Sequence, residues 1–152
     1  MKIEILDYQP EYATNFERIN KAWLSAYFSI EPIDQYVLEN PQEAILDHGG
    51  VILFASSEKS IVGVVALKYV EPGIYELTKM GVDHEWRGQG IGNKLCAGAL
   101  SKAKELGASK LVLYSNRVLA NAIHIYSKLG FKEVALDAVY KRSDIKMELS
   151  LI

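Results

Sequence analysis

The stretch YELTKMGVDHEWRGQGIGNKLCAGALSKAKELG, Tyr75 to Gly107, decides how the rest of the chain is read. It begins as a strand, Tyr75 to Val82, and turns through Asp83, His84, Glu85 and Trp86. It then passes through a glycine-rich loop, Arg87-Gly88-Gln89-Gly90-Ile91-Gly92, straight into a long amphipathic helix. Strand, loop and helix start together make a place to hold a phosphate. The first turn of a helix has backbone N–H groups with no internal partner, and these groups and the helix dipole attract an anion. Gly88, Gly90 and Gly92 remove side chains, so a pyrophosphate can approach the backbone. Arg87 adds a fixed charge with several donors.

Two familiar phosphate loops do not fit. The dinucleotide pattern G-x-G-x-x-G fails, because the third position counted from Gly88 is Asn93 and from Gly90 is Leu95. The pattern G-x-x-x-x-G-K-[ST] fails too, since Asn93 replaces the needed glycine and Leu95 follows Lys94.

Outward from this stretch, the chain reads as one domain, residues 1–152. Hydrophobic content of 49% and charged content of 24% are ordinary for a globular protein. A net charge of −2 gives no reason to expect nucleic-acid binding. The lone Cys96 excludes an internal disulfide framework and fits a reducing compartment. The opening MKIEILDYQP has no apolar signal core, and no apolar run is long enough for a membrane span. A cytoplasmic protein with no membrane partner is expected. His48, His84 and His124 are scattered, and no metal site is legible.

Lys2 to Leu6 reads as a short strand. Tyr12, Phe16, Ile19, Trp23 and Tyr27 recur at helical spacing through Glu11 to Ser29. Pro32 suits the first turn of a second helix, and Asn40-Pro41-Gln42-Glu43 a further start. Val51 to Ser56 and Ile61 to Val70 are strands around a turn at Ser57 to Ser60. In the helix after the loop, Ile91, Leu95, Ala99, Ala103 and Leu106 form the expected buried stripe. Lys110 to Tyr114 is a strand, Leu119 to Leu129 a helix, and Phe131 to Ala135 and Ile145 to Leu149 the last strands, around a loop at 137–143. The order β-αα-βββ-α-β-α-ββ predicts an α/β (α+β) mixed sheet with helices on both faces, and a parallel pair around the central helix.

The loop matches R-x-x-G-x-G and closely resembles the acyl-CoA pyrophosphate loop of the GNAT N-acetyltransferase superfamily. Glu76-Leu-Thr-Lys-Met80-Gly-Val82 resembles that family's fourth strand. Asn121-Ala122-Ile-His-Ile-Tyr126-Ser-Lys-Leu-Gly130-Phe131 resembles its later helix with the A-x-x-x-Y-x-x-x-G-F signature. Together these cover roughly a third of the chain in order and spacing.

The resemblance implies an acetyl-CoA-dependent N-acetyltransferase that acts on a primary amine by direct attack in a ternary complex, with no metal. Arg87, Gly88, Gln89, Gly90, Ile91 and Gly92 would hold the pyrophosphate. Met80 and Val82 would pair with the pantetheine arm, and Gly81 marks either a bulge there or close packing under a helix. Tyr126 matches the family's tyrosine, the candidate acid for the departing thiolate, and otherwise reads as a core tyrosine. Asn121 would bond pantetheine or phosphate, or serve only as a helix-entry residue. Glu76 is the candidate base, or else a solvated charge at the strand's start, with Asp34 and Glu31 as alternative bases from the helical cap. Trp23 to Tyr36 corresponds to the family's acceptor side. There Trp23 and Tyr27 continue a core stripe, and Phe28, Glu31 and Asp34 look spare for an amine-bearing small molecule or peptide. His124 and Cys96 read as structural. Relatives of this kind are often dimers, so a homodimer is compatible. A non-catalytic acyl-CoA-binding sensor of the same fold is the competing reading, against which Glu76 and Tyr126 weigh.

Overall fold

A computed structural model describes residues 2–137 and 140–152 of the chain. Ala138 and Val139, in the expected 137–143 loop, lie outside the described residues. Among the described residues the elements run β1 (Ile3–Asp7), α1 (Ala13–Tyr27), α2 (Pro32–Glu39), α3 (Pro41–Ala44), β2 (Val51–Ser57), β3 (Ser60–Glu71) and β4 (Ile74–Val82). Then come α4 (Ile91–Glu105), β5 (Lys110–Ser115), α5 (Ala120–Lys128), β6 (Lys132–Val134) and β7 (Ile145–Ser150). The strands form a seven-stranded sheet in the order β1-β2-β3-β4-β5-β7-β6. Every neighbouring pair is antiparallel except β4 and β5, the parallel pair expected around α4.

Both faces of the sheet are covered, which is why β2 and β3 are nearly continuous apolar runs. Leu53, Ala55, Val65 and Leu67 pack with Ile91, Leu95 and Ala99 of α4. Ile52, Phe54, Val64 and Ala66, the alternate positions, pack with Phe16, Ile19 and Leu24 of α1. The α4 stripe differs from expectation at its end. Leu106 is 39% exposed because the helix stops at Glu105 and Leu106 falls in the C-cap, while Cys96 joins the core.

Of the two readings of Gly81, close packing under a helix holds, and the bulge sits just before it. Val64 pairs with Gly81 and Ala66 with Thr78, so Lys79 and Met80 together oppose Val65. Lys79 has φ 54°, a left-handed value that a bulge imposes and that side chains adopt at a cost of about 1–3 kcal/mol. The bulge flips the alternation, so Met80 packs on the α4 face with Leu77, and Gly81 turns toward α1. Gly81 is a glycine for lack of room. A Cβ there would stand 2.7 Å from Trp23 Cδ1 and 3.1 Å from Ile19 Cγ2. Gly81→Ala is therefore expected to destabilise the protein by about 1–3 kcal/mol, read as a lower urea midpoint with unchanged slope. A midpoint equal to wild type would show that Trp23 moves aside freely.

Candidate functional site

The parallel seam between β4 and β5 is short: Ile74 faces Lys110, Tyr75 faces Leu111 and Glu76 faces Val112. Beyond Glu76 the two strands part, while β4 stays paired to β3. A cavity of about 480 Å³ opens in the gap. Its lining comes from Leu77 to Val82 on β4 and Tyr114 to Asn116 at the end of β5. It also includes the start of α4 and residues of α5 from one face, and Trp23, Tyr27 and Phe28 from the other. The cavity thus passes through the sheet from face to face.

On the α4 side the loop has the form an anion site needs. Gly88 and Gly90 have φ of 76° and 79°, and a Cβ on either would point into open space. Gly90 caps α4, whose first backbone bond is Lys94 N–H to Gly90 O at 3.2 Å. Among the described residues the N–H groups of Gly88, Gln89 and Gly90 have no backbone acceptor. Arg87 borders the cavity, its Nε–H donating to Val82 O at 3.3 Å. Gly88, Gly90, Ile91, Gly92 and Asn121 line the cavity with it; Gln89 is exposed outside the lining. Gly92 packs close to α5, where a Cβ would meet Ile125 Cδ1 at 3.2 Å.

Met80, Gly81 and Val82 all line the cavity, as does Tyr126. Tyr126 is 8% exposed and packs edge-on against Phe131 at 5.9 Å. Its hydroxyl has no protein partner among the described residues, yet no fully buried polar side-chain atom there is left unsatisfied. The hydroxyl therefore keeps access to the cavity. Burial drives its pKa well above the ordinary phenol range, so it stays protonated. Cys96 is fully buried, with Sγ 3.3 Å from Met80 Sδ, and burial pushes its thiol up to about 12. Such a thiol is a poor nucleophile at neutral pH, in keeping with its structural reading. His124, expected to be structural, is exposed and borders the cavity.

The α1 side holds a cluster the sequence reading missed. Asp34, 0% exposed, accepts from Lys79 Nζ at 2.8 Å, from Arg142 Nη2 at 3.0 Å and from Arg142 Nη1. It also accepts the Glu31 N–H at 3.2 Å, the reciprocal cap that starts α2. Glu31 accepts from Arg142 Nη1 at 3.0 Å and from the N–H groups of Lys141 and Arg142. The expectation that Glu31 and Asp34 are spare is thus corrected, since both are committed to Arg142 and neither lines the cavity. Burial alone would push the Asp34 carboxyl up, but Lys79 and Arg142 together outweigh it and hold it below the usual range. Burial pulls the Lys79 ammonium down, against Asp34 and Glu76.

Phe28 lines the cavity as expected. Tyr27 does too, but it is 48% exposed, because the core stripe of α1 ends at Leu24. Glu76 is buried and does not line the cavity. The bulge at Lys79 puts it on the face opposite Met80, and it accepts instead from Tyr140 Oη at 2.8 Å. Tyr140, Arg142 and Ser143 reach the cavity from the segment between β6 and β7, held by Asn116 Nδ2 to Arg142 O at 2.7 Å. Lys79, a charge inside an apolar strand, was a signal in the sequence; Tyr140 and Arg142 gave none.

The sheet is thus split by a cavity, with a glycine-rich helix start on one face and a buried ionic cluster on the other. Residues 16–131 match the model of the Acetyltransferase (GNAT) family, and the chain belongs to that family. It is 37% identical over 90 residues to N-acetyltransferase 8B of Homo sapiens, an alignment covering 56% of this chain and 40% of that protein. The chain spans less than half the length of the leading curated relatives. Its fold matches an acetyltransferase of the GNAT family from Staphylococcus aureus MU50 at a TM-score of 0.90 and 24% identity, covering 99% of this chain and 100% of that one. A PaiA N-acetyltransferase from Thermoplasma acidophilum, solved in complex with coenzyme A, matches at 0.78 and 24% identity, covering 99% of each chain. No described helix is long and apolar enough to cross a membrane.

Proposed function

We propose that this chain transfers an acetyl group from acetyl-CoA to a primary amine by direct attack in a ternary complex. The observation that carries the reading is the single cavity through the sheet, which joins the glycine-rich start of α4 to the α1 side. Acetyl-CoA enters from the α4 side, with its pyrophosphate on the free N–H groups of Gly88 to Gly90 and on Arg87. The unpaired edge of β4 from Leu77 to Val82 faces the pantetheine arm. The amine enters from the α1 side, past Trp23, Tyr27 and Phe28. Its nitrogen attacks the thioester carbonyl, the C–S bond breaks, and Tyr126 protonates the leaving sulfur. Coenzyme A bound by a protein of the same fold supports the cofactor, and the family supports the reaction.

The test is thiol release from acetyl-CoA across a panel of amines, with the acetylated product identified by mass. Release with at least one amine supports the reading. Binding of acetyl-CoA without release leaves only a sensor. Arg87 is tested separately: CoA should raise Tm, and Arg87→Ala should shrink that rise, matching a lost charge-assisted contact of about 1.5–3 kcal/mol. An equal rise in wild type and variant would remove Arg87 from the site. The alanine is preferable to a valine at Gly90, where a φ of 79° would strain the protein before any ligand bound.

A further inference from the structure

Glu76 is the base the sequence offers, yet it is 5% exposed and does not line the cavity. An acceptor in the cavity meets Tyr140 instead, whose hydroxyl donates to Glu76 Oε2 at 2.8 Å. Tyr140 lies beyond the residues that match the family model. Its ring is flanked by two cations, Lys79 Nζ at 5.0 Å and Arg142 Cζ at 4.8 Å from the centroid. Tyr114 of β5 packs edge-on against it at 5.6 Å, its own hydroxyl bound to Asp137 at 2.7 Å. Asp34 and Glu31, from α2 and its start, hold the two cations in place.

We propose that Tyr140 is a catalytic residue that relays the acceptor's proton to Glu76. The proposal rests on the acetyl-transfer reading. The acceptor arrives as an ammonium and donates an N–H to the Tyr140 oxygen. As that proton crosses to the oxygen, the phenol proton crosses to Glu76 Oε2. The ammonium has then lost one proton, the carboxylate has gained one, and Tyr140 is again a phenol. The amine lone pair is free to attack the thioester carbon. The N–C bond forms, the C–S bond breaks, and sulfur leaves with its electron pair. Tyr126 protonates that sulfur and regains a proton from the acylated nitrogen.

The flanking charges suit this role. Negative charge grows on the phenol during the transfer, and fixed cations over a ring lower the energy of that charge without having to reorganise. Burial first, and then Glu76, raise the Tyr140 pKa, so at rest the residue is a donor and not a phenolate.

The test uses Tyr140→Phe, Glu76→Gln and the double variant, with thiol release followed against pH. Tyr140→Phe should lower kcat/KM about tenfold or more near neutral pH, with the deficit closing as pH rises toward the amine's own pKa. The KM for acetyl-CoA and the Tm rise with CoA should not move. Glu76→Gln should lose as much, and the double variant should be no slower than Glu76→Gln, because a relay needs both ends. The double variant strands no buried carboxylate, so its comparison with Glu76→Gln decides the matter even if Tyr140→Phe folds poorly. A Tyr140→Phe enzyme with the wild-type pH profile overturns the relay and leaves acetyl transfer standing. So does a double variant a further tenfold below Glu76→Gln. A wild-type protein that binds acetyl-CoA but releases thiol with no amine overturns the acetyl-transfer reading, and the relay with it.

Discussion

Tyr126→Phe should lower kcat by about a hundredfold or more while leaving the affinity for CoA unchanged. The substitution removes one oxygen and keeps the ring against Phe131, so the packing cost is small. What is lost is the phenol donor that opens on the cavity from α5. Raising the phenol pKa by burial has a further consequence for the wild type. Its activity should show no alkaline limb near the ordinary phenol value of about 10, because Tyr126 remains a donor there. A variant with wild-type kcat would make Tyr126 a core residue and no more.

Asp34→Asn should cost about 3–5 kcal/mol of stability, the scale expected when one partner of a buried charge cluster is removed. The reason lies in what stays behind. Lys79 and Arg142 would face each other across a neutral amide, with Lys79 almost fully buried. The pH dependence follows from the lowered Asp34 pKa. A carboxyl whose folded pKa is depressed contributes stability that is fully present above its unfolded value, about 3.9, and is lost as pH falls through the lower folded value. Wild type should therefore show an acid-destabilised limb below that value, and Asp34→Asn should show a weaker one. Denaturant unfolding from pH 2 to 7 reads both. Equal stability of the two proteins at pH 7 would mean that the cluster contributes nothing net.

The order of the elements, the α4 loop and the parallel pair around α4 were legible because each rests on local pattern. Gly88 and Gly90 ahead of an apolar stripe, with Gly92 just inside it, say where a helix starts and what its first turn leaves free. The acceptor side was not legible, for physical reasons that differ by residue. Asp34 reads as a spare acid on an amphipathic helix, and only a lysine 45 positions away and an arginine 108 positions away make it a buried anion. Lys79 should alternate toward α4 by a period of two, and the bulge turns it the other way. Tyr140 and Arg142 lie in a segment without periodicity, so nothing local says that Arg142 folds back onto α2 and Tyr140 onto Glu76 of β4. Glu76 was found as a residue and misplaced as a neighbour, since the face it shares depends on a bulge three residues downstream.

The short seam at Ile74, Tyr75 and Glu76 also bears on how the molecule assembles and holds together. It divides the sheet into a four-strand lobe and a three-strand lobe. In the first lobe β2, β3 and β4 follow one another as a meander, so most of its pairings close short loops. The second must be brought alongside across α4, which places the join among the later and slower contacts to form. A join of so few backbone pairs is also a place where sub-global opening can begin at less than the full cost of unfolding. A ligand lying in the gap touches both lobes at once. Binding there does thermodynamically what further strand pairing would have done, and it makes the rigidity of the whole sheet a function of occupancy.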